Sequence, residues 1–247
     1  MATKNNWLKT NISERLTYKG ADLKVWHDVS SVEEKSWDQA IKETINDLAN
    51  LGRKLYVPLS GGMDSEYVLK SMMHLNPIPI IVDTPGNKIE SQYAFHFCRH
   101  HNISPIVIEK NEREILNTYY DDIFLKLNGV GIYSVAALIA SRYANDHGGV
   151  AIIGEHAYDG VSEWDFYNDV LLGLDSSVYF FMWTPELVKA MMNEYDGGDH
   201  QEFKYRLYQI PFRPKITFAH TEGFNQVYKA MMKKRKAKPN PLTKVVL

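Results

Sequence analysis

Six residues, Ser60-Gly61-Gly62-Met63-Asp64-Ser65, follow the apolar run Leu55-Tyr-Val-Pro-Leu59 and open onto a helical pattern. Their types suit an anion. Two glycines let the backbone turn tightly and approach a phosphate closely, while the Ser60 and Ser65 hydroxyls and the amides of a first helical turn donate to its oxygens. Asp64 does not attract phosphate by itself. A carboxylate beside a polyphosphate makes sense when Mg²⁺ bridges the two, because a hard cation takes oxygen ligands from both sides. The loop therefore predicts ATP with magnesium. The bland alternative is a Gly-rich strand-to-helix turn with no ligand. Five such fixed positions arise by chance at roughly one site in a million, so a chance match in this chain has odds below about one in a thousand.

The loop lacks both the Gly-Lys-Ser/Thr ending of the P-loop and the three-glycine spacing of the dinucleotide fold. It resembles the pyrophosphate-binding (PP-loop) segment of the N-type ATP pyrophosphatases, a superfamily that includes asparagine, GMP, NAD and argininosuccinate synthetases and several tRNA-modifying enzymes. The resemblance implies cleavage of ATP between its α and β phosphates, with AMP passed to a substrate oxygen.

The surrounding pattern is that of an α/β domain. Trp37, Ile41, Ile45, Leu48 and Leu51 recur at helical spacing within residues 31–51, and Gly52 closes that helix. Beyond the loop, Val68, Leu69, Met72 and Met73 mark a helix ending near Pro77, and residues 78–82 read as a strand. A helix over 89–101, a strand over 105–108, helices over 112–127 and 134–146 and a strand over 150–153 complete the alternation. Strands alternating with helices imply a doubly wound parallel sheet whose ligand lies at the carboxyl ends of the strands. Asp83-Thr84 and Gly154-Glu155 are then expected to face the loop. Topology and family analogy together place the adenine against Val82 to Thr84, so Val82 and Asp83 join Ser60, Gly61, Gly62, Asp64 and Ser65 as nucleotide-binding candidates. The expected organisation is an irregular N-terminal arm with a packing helix (1–52), the nucleotide domain (53–218) and a helical C-terminal extension with a basic tail (219–247).

Two further segments carry chemistry. Gly154-Glu155-His156-Ala157-Tyr158-Asp159-Gly160 sets two carboxylates just past a strand end, and resembles the Gly-Glu/Asp-Gly-Ser/Ala-Asp-Glu segment of asparagine synthetases and β-lactam synthetases. Glu155 matches in place, whereas Asp159 matches only with a one-residue shift and His156 replaces a glycine. The resemblance implies a catalytic role for Glu155 and a metal-ligand role for Asp159 beside Asp64; a polar surface turn is the alternative. Arg213-Pro-Lys215-Ile-Thr-Phe218 is similar to the Arg-x-Lys-x-x-Phe segment of the same family, whose lysine lies beside the acyl-adenylate. Lys215 is therefore the candidate active-site cation, against the alternative of an exposed basic loop.

The implied reaction joins a small-molecule carboxylate to ammonia or an amine through an acyl-adenylate. Nothing in the N-terminal segment looks like the glutaminase domain of that family, so ammonia is expected free or from a separate amidotransferase subunit. Two other readings stay open: adenylation of a nucleobase carbonyl, as in nucleotide or tRNA modification, and a nucleotide-binding protein that has lost its chemistry.

Composition narrows the classes. The chain has 247 residues, of which 45% are hydrophobic and 23% charged, enough for a full core, and its net charge of -2 exerts no overall pull on nucleic acid. Cys98 is the only cysteine, which excludes an intrachain disulfide or a cysteine-built zinc or iron–sulfur site. The last nineteen residues hold seven Lys or Arg and no acid, a tail that leaves nucleic acid open as a partner. No secretory pattern or long apolar run is present, so no membrane span and a cytoplasmic setting are expected. His96 and His100 stand four apart on a helix, but the zincin glutamate is missing and ordinary packing is the expected reading.

Overall fold

The computed structural model describes residues 9–10, 25–26, 29, 31–84, 87–111, 114–115, 117–118, 132–154 and 177–210. Near the N-terminus two short strands, β1 (Lys9–Thr10) and β2 (Val25–Trp26), pair antiparallel. Helix α1 (Trp37–Ala49) begins with a reciprocal cap: Gln39 N–H donates to Ser36 Oγ at 3.3 Å and Ser36 N–H donates to Gln39 Oε1 at 3.0 Å. That arrangement satisfies two amides a helix start otherwise leaves orphaned. Trp37, Ala40, Ile41, Ile45 and Leu48 are buried on one face, as their spacing requires.

The main sheet has five strands: β3 (Leu55–Pro58), β4 (Ile78–Asp83), β5 (Ile106–Glu109), β6 (Val150–Ile153) and β7 (Val178–Phe180). All pairs are parallel and the order is β5-β4-β3-β6-β7. The chain thus runs outward from β3 to β5 and then returns past β3 to lay down β6 and β7. Right-handed crossovers in the two directions put helices on opposite faces, which makes the sheet doubly wound as expected. The reversal point lies between β3 and β6, the place beyond the carboxyl ends where doubly wound sheets take their ligands.

Helices α2 (Met63–Ser71) and α3 (Lys88–His100) pack on β3 and β4, and α4 (Ile132–Asp146) packs on β6, β3 and β4. The α2 segment ends sooner than its apolar spacing suggests, passing into a 3₁₀ turn over Met73–Leu75 that closes with Asn76 at φ 53°. Strand β6 is buried along its whole length, as expected for a central parallel strand with both faces covered. Strand β7 is absent from the pattern reading. Its three residues run without a break into Phe181-Met182-Trp183, a buried 3₁₀ turn, so no alternation marks it.

After β7, Thr184 caps α5 (Pro185–Glu194), accepting from Leu187 N–H at 3.4 Å with Pro185 at the first helical position. Helix α5 packs against α1. The last described helix, α6 (His200–Tyr208), starts where Asp199 Oδ1 accepts from the amides of Gln201 and Glu202 at 2.9 Å each. No described helix is long and apolar enough to cross a membrane.

Candidate functional site

The carboxyl end of β3 leads straight into the glycine loop. Leu59 N–H still bonds Ile80 C=O at 2.8 Å, and beyond it the chain turns through Gly61 at φ +90° into the start of α2. A side chain cannot replace the hydrogen at Gly61, because a Cβ there would sit 2.0 Å from the carbonyl oxygen of Glu90. Backbone from α3 therefore braces one side of the loop. Gly154, the first residue past β6, braces the other: a Cβ on it would lie 3.0 Å from Asp64 C=O. As expected, Gly154 faces the loop across the reversal point of the sheet.

Inside the loop the polar groups are set by short-range bonds. Ser60 N–H donates to Ser65 Oγ at 3.2 Å, Gly62 N–H donates to Ser60 Oγ at 3.2 Å, and Ser65 Oγ donates to Gly62 C=O at 3.1 Å. The two serine hydroxyls stand 3.1 Å apart. The result is a preformed concave turn at a helix start whose N-cap, Gly62, offers no side-chain cap of its own. Such a turn, with the positive end of the helix dipole behind it, is suited to an oxyanion.

Asp64 is held by residues far away in sequence. Lys204 Nζ donates to Asp64 Oδ2 at 2.7 Å and Tyr208 OH donates to Oδ1 at 2.9 Å, across separations of 140 and 144 residues. The lysine side chain is 1% exposed and the aspartate 22%. Tyr208 is fixed by stacking on Tyr67 at 4.3 Å between ring centroids, and Trp37 Nε1–H donates to Tyr67 OH at 2.8 Å. One aromatic stack thus joins α1, α2 and α6 behind the loop. Asp64 reads in sequence as a magnesium ligand beside phosphate; the structure also gives it two side-chain partners from the last described helix.

The neighbouring corner, at the end of β4, is closed by local contacts. Asp83 accepts from Ser91 Oγ at 3.1 Å and from Lys88 Nζ, both on α3. Its own side chain is 8% exposed while that of Lys88 is 62% exposed. Val82 is buried, and its carbonyl accepts from Asn87 Nδ2 at 2.8 Å while Thr84 N–H donates to Asn87 Oδ1 at 2.8 Å. Glu90, the residue whose backbone touches the loop, has its carboxyl pushed up to about 8 by burial. Burial likewise pushes the Cys98 thiol up to about 11, which leaves it an inert core group.

His96 and His100 stack at 6.4 Å between centroids, and among the described residues no cluster of His, Cys, Asp or Glu could hold a metal by itself. Glu155, Asp159 and Lys215 lie outside the described residues, as do the Arg213 to Phe218 segment and the basic tail. Sequence reasoning missed Lys204 and Tyr208 altogether. The signal available was weak: Phe203, Lys204, Leu207 and Tyr208 line one side of a short helix, and only the burial of Lys204 distinguishes it from a solvated lysine.

The donor set at the loop fits magnesium. Asp64 brings a carboxylate, and Ser60 and Ser65 bring hydroxyls, to one turn, and these are the hard oxygen donors that magnesium takes.

No protein-family model matches the chain, and no curated protein matches it. Among solved structures, an NMN synthetase from Francisella tularensis is 16% identical, with 84% of this chain and 99% of that one covered at a TM-score of 0.40. A predicted tRNA methyltransferase subunit from Methanocaldococcus jannaschii is 15% identical, with 74% of this chain and 88% of that one covered at a TM-score of 0.43. At such low identity and TM-score, what this site does rests on its own residues.

Proposed function

We propose that the protein is an ATP-dependent ligase that adenylates a substrate carboxylate, releases pyrophosphate and hands the acyl group to ammonia or an amine. The observation that carries this reading is the Ser60–Ser65 turn, shaped for an oxyanion at the reversal point of a doubly wound sheet. Ser60, Gly61, Gly62 and Ser65 hold the β and γ phosphates through hydroxyls and amides, and Asp64 holds Mg²⁺, with Asp159 as second ligand by family likeness. Magnesium, when bound, offsets charge on the phosphate oxygens.

The chemistry has two steps. A carboxylate oxygen attacks the α phosphorus and the bond to the β-phosphate oxygen breaks; the amine then attacks the acyl carbon and AMP departs with the carboxylate oxygen. Negative charge grows on phosphoryl oxygens in the first step, so a fixed cation is what the site must supply. Lys215 has that role by its Arg-Pro-Lys-Ile-Thr-Phe context. Glu155, next in the chain after Gly154, orients or deprotonates the amine. The adenine lies against Val82 to Thr84, where the carbonyl of Val82 and the amide of Thr84 form the acceptor–donor pair its edge needs; the Asn87 carboxamide fills that pair in the resting protein.

The seven cations of the tail favour one rival substrate class, a nucleobase carbonyl in nucleic acid. Incubation with ATP, magnesium, ammonia and a pool of ¹⁸O-labelled carboxylates tests the proposal. Transfer of one labelled oxygen into AMP is the expected result; labelled AMP only when the oxygen is carried by a nucleobase would select the rival.

A further inference from the structure

Asp64 raises an electrostatic problem. It sits in the first turn of α2, inside the turn that receives phosphate, and a bare carboxylate there repels the ligand the loop is shaped for. The structure contains an answer that needs no added ion. Lys204 is 1% exposed, and it reaches the carboxylate at 2.7 Å while Tyr208 fixes the other oxygen at 2.9 Å. A lysine is buried at this depth only where its charge is matched, and one matching charge belongs to the phosphate loop itself. The aromatic stack of Trp37, Tyr67 and Tyr208 holds α6 in place, so the ammonium is present before any nucleotide arrives.

We infer that Lys204 is the resident counter-charge of the loop, neutralising Asp64 so that the Ser60–Ser65 turn binds the diphosphate group in the absence of any divalent cation. This inference rests on the reading that the loop holds the phosphates of ATP, and makes Lys204 a positioning residue that acts through Asp64. Divalent metal then adds to a site already competent for the anion. The consequence is an order of events in which the phosphate group docks first or metal-free, and chemistry alone requires the cation.

The test is calorimetric titration of the full chain with inorganic pyrophosphate, once in excess EDTA and once in magnesium, with a thermal midpoint for every variant. The parent protein is expected to bind pyrophosphate in EDTA. Lys204→Met, which takes this ammonium from Asp64, is expected to lose on the order of tenfold or more in EDTA and to come back to within about threefold of the parent in magnesium. Lys204→Met combined with Asp64→Asn removes both charges, and is expected to regain metal-free binding and stability together. This double variant keeps the test valid if the single one folds poorly. Parent binding only in magnesium, or equal binding in EDTA by the parent and Lys204→Met, would overturn the inference while leaving the loop's role intact. No pyrophosphate binding by the parent in either condition would overturn the functional reading as well.

Discussion

Two aspartates stand at the carboxyl ends of neighbouring strands, and their ion pairs are built in opposite senses. Asp83 is 8% exposed against a lysine that is 62% exposed, whereas Asp64 is 22% exposed against a lysine that is 1% exposed. In the first pair the acid is structural and the base hangs in solvent. In the second the base is buried and the acid is the more exposed partner. This is the orientation that the proposed magnesium role of Asp64 asks for. The lengths of chain differ too: Asp83 is served from within eight residues, and Asp64 from 140 residues on.

The inversion predicts which partner is expensive to remove. The largest effect belongs to Asp64→Asn, which takes the carboxylate from a buried ammonium; about 3 kcal/mol of stability should be lost in denaturant unfolding, together with magnesium-dependent pyrophosphate release. Lys88→Met comes next, at about 2 kcal/mol, because Asp83 stays buried with Ser91 as its described partner. Lys204→Met should cost less than Asp64→Asn, about 1 to 2 kcal/mol, since the carboxylate it leaves can turn to water. Equal costs for the two members of each pair would break the comparison.

A smaller effect comes from Glu90, on the helix between the two sites. Its folded-state carboxyl titrates at about 8 against an ordinary value of 4.5. Between those values the folded protein binds a proton that the unfolded chain releases, so this residue's contribution falls as pH rises from about 4.5 to about 8. Glu90→Gln should leave the thermal midpoint nearly unchanged at pH 5 and raise it above the parent at pH 8. A midpoint difference independent of pH would show that Glu90 is charged throughout.

Much of the scaffold was legible because its causes are local. The spacing of Trp37, Ile41, Ile45 and Leu48 marks α1, and the run Val150 to Ile153 matches β6 at both ends. The glycine turn was legible for the same reason, since Ser60, Gly62 and Ser65 satisfy one another within six residues. What escaped was tertiary. Phe203 and Leu207 mark the inner side of α6 only weakly, and the aromatic pairing that pins Tyr208 to Tyr67 spans two distant helices. Lys215 drew the cation assignment because the resemblance of its Arg213 to Phe218 segment is visible in the sequence; Lys204 becomes visible only when α6 is laid against α2.

The most direct measurement is phosphorus NMR of the purified chain with ATP, magnesium, ammonia and a mixture of carboxylates. AMP and pyrophosphate appearing in equal amounts, and dependent on a carboxylate, is the result expected of the Ser60–Ser65 loop. ADP and inorganic phosphate as the products would contradict cleavage between the α and β phosphates and, with it, the assignment of the site.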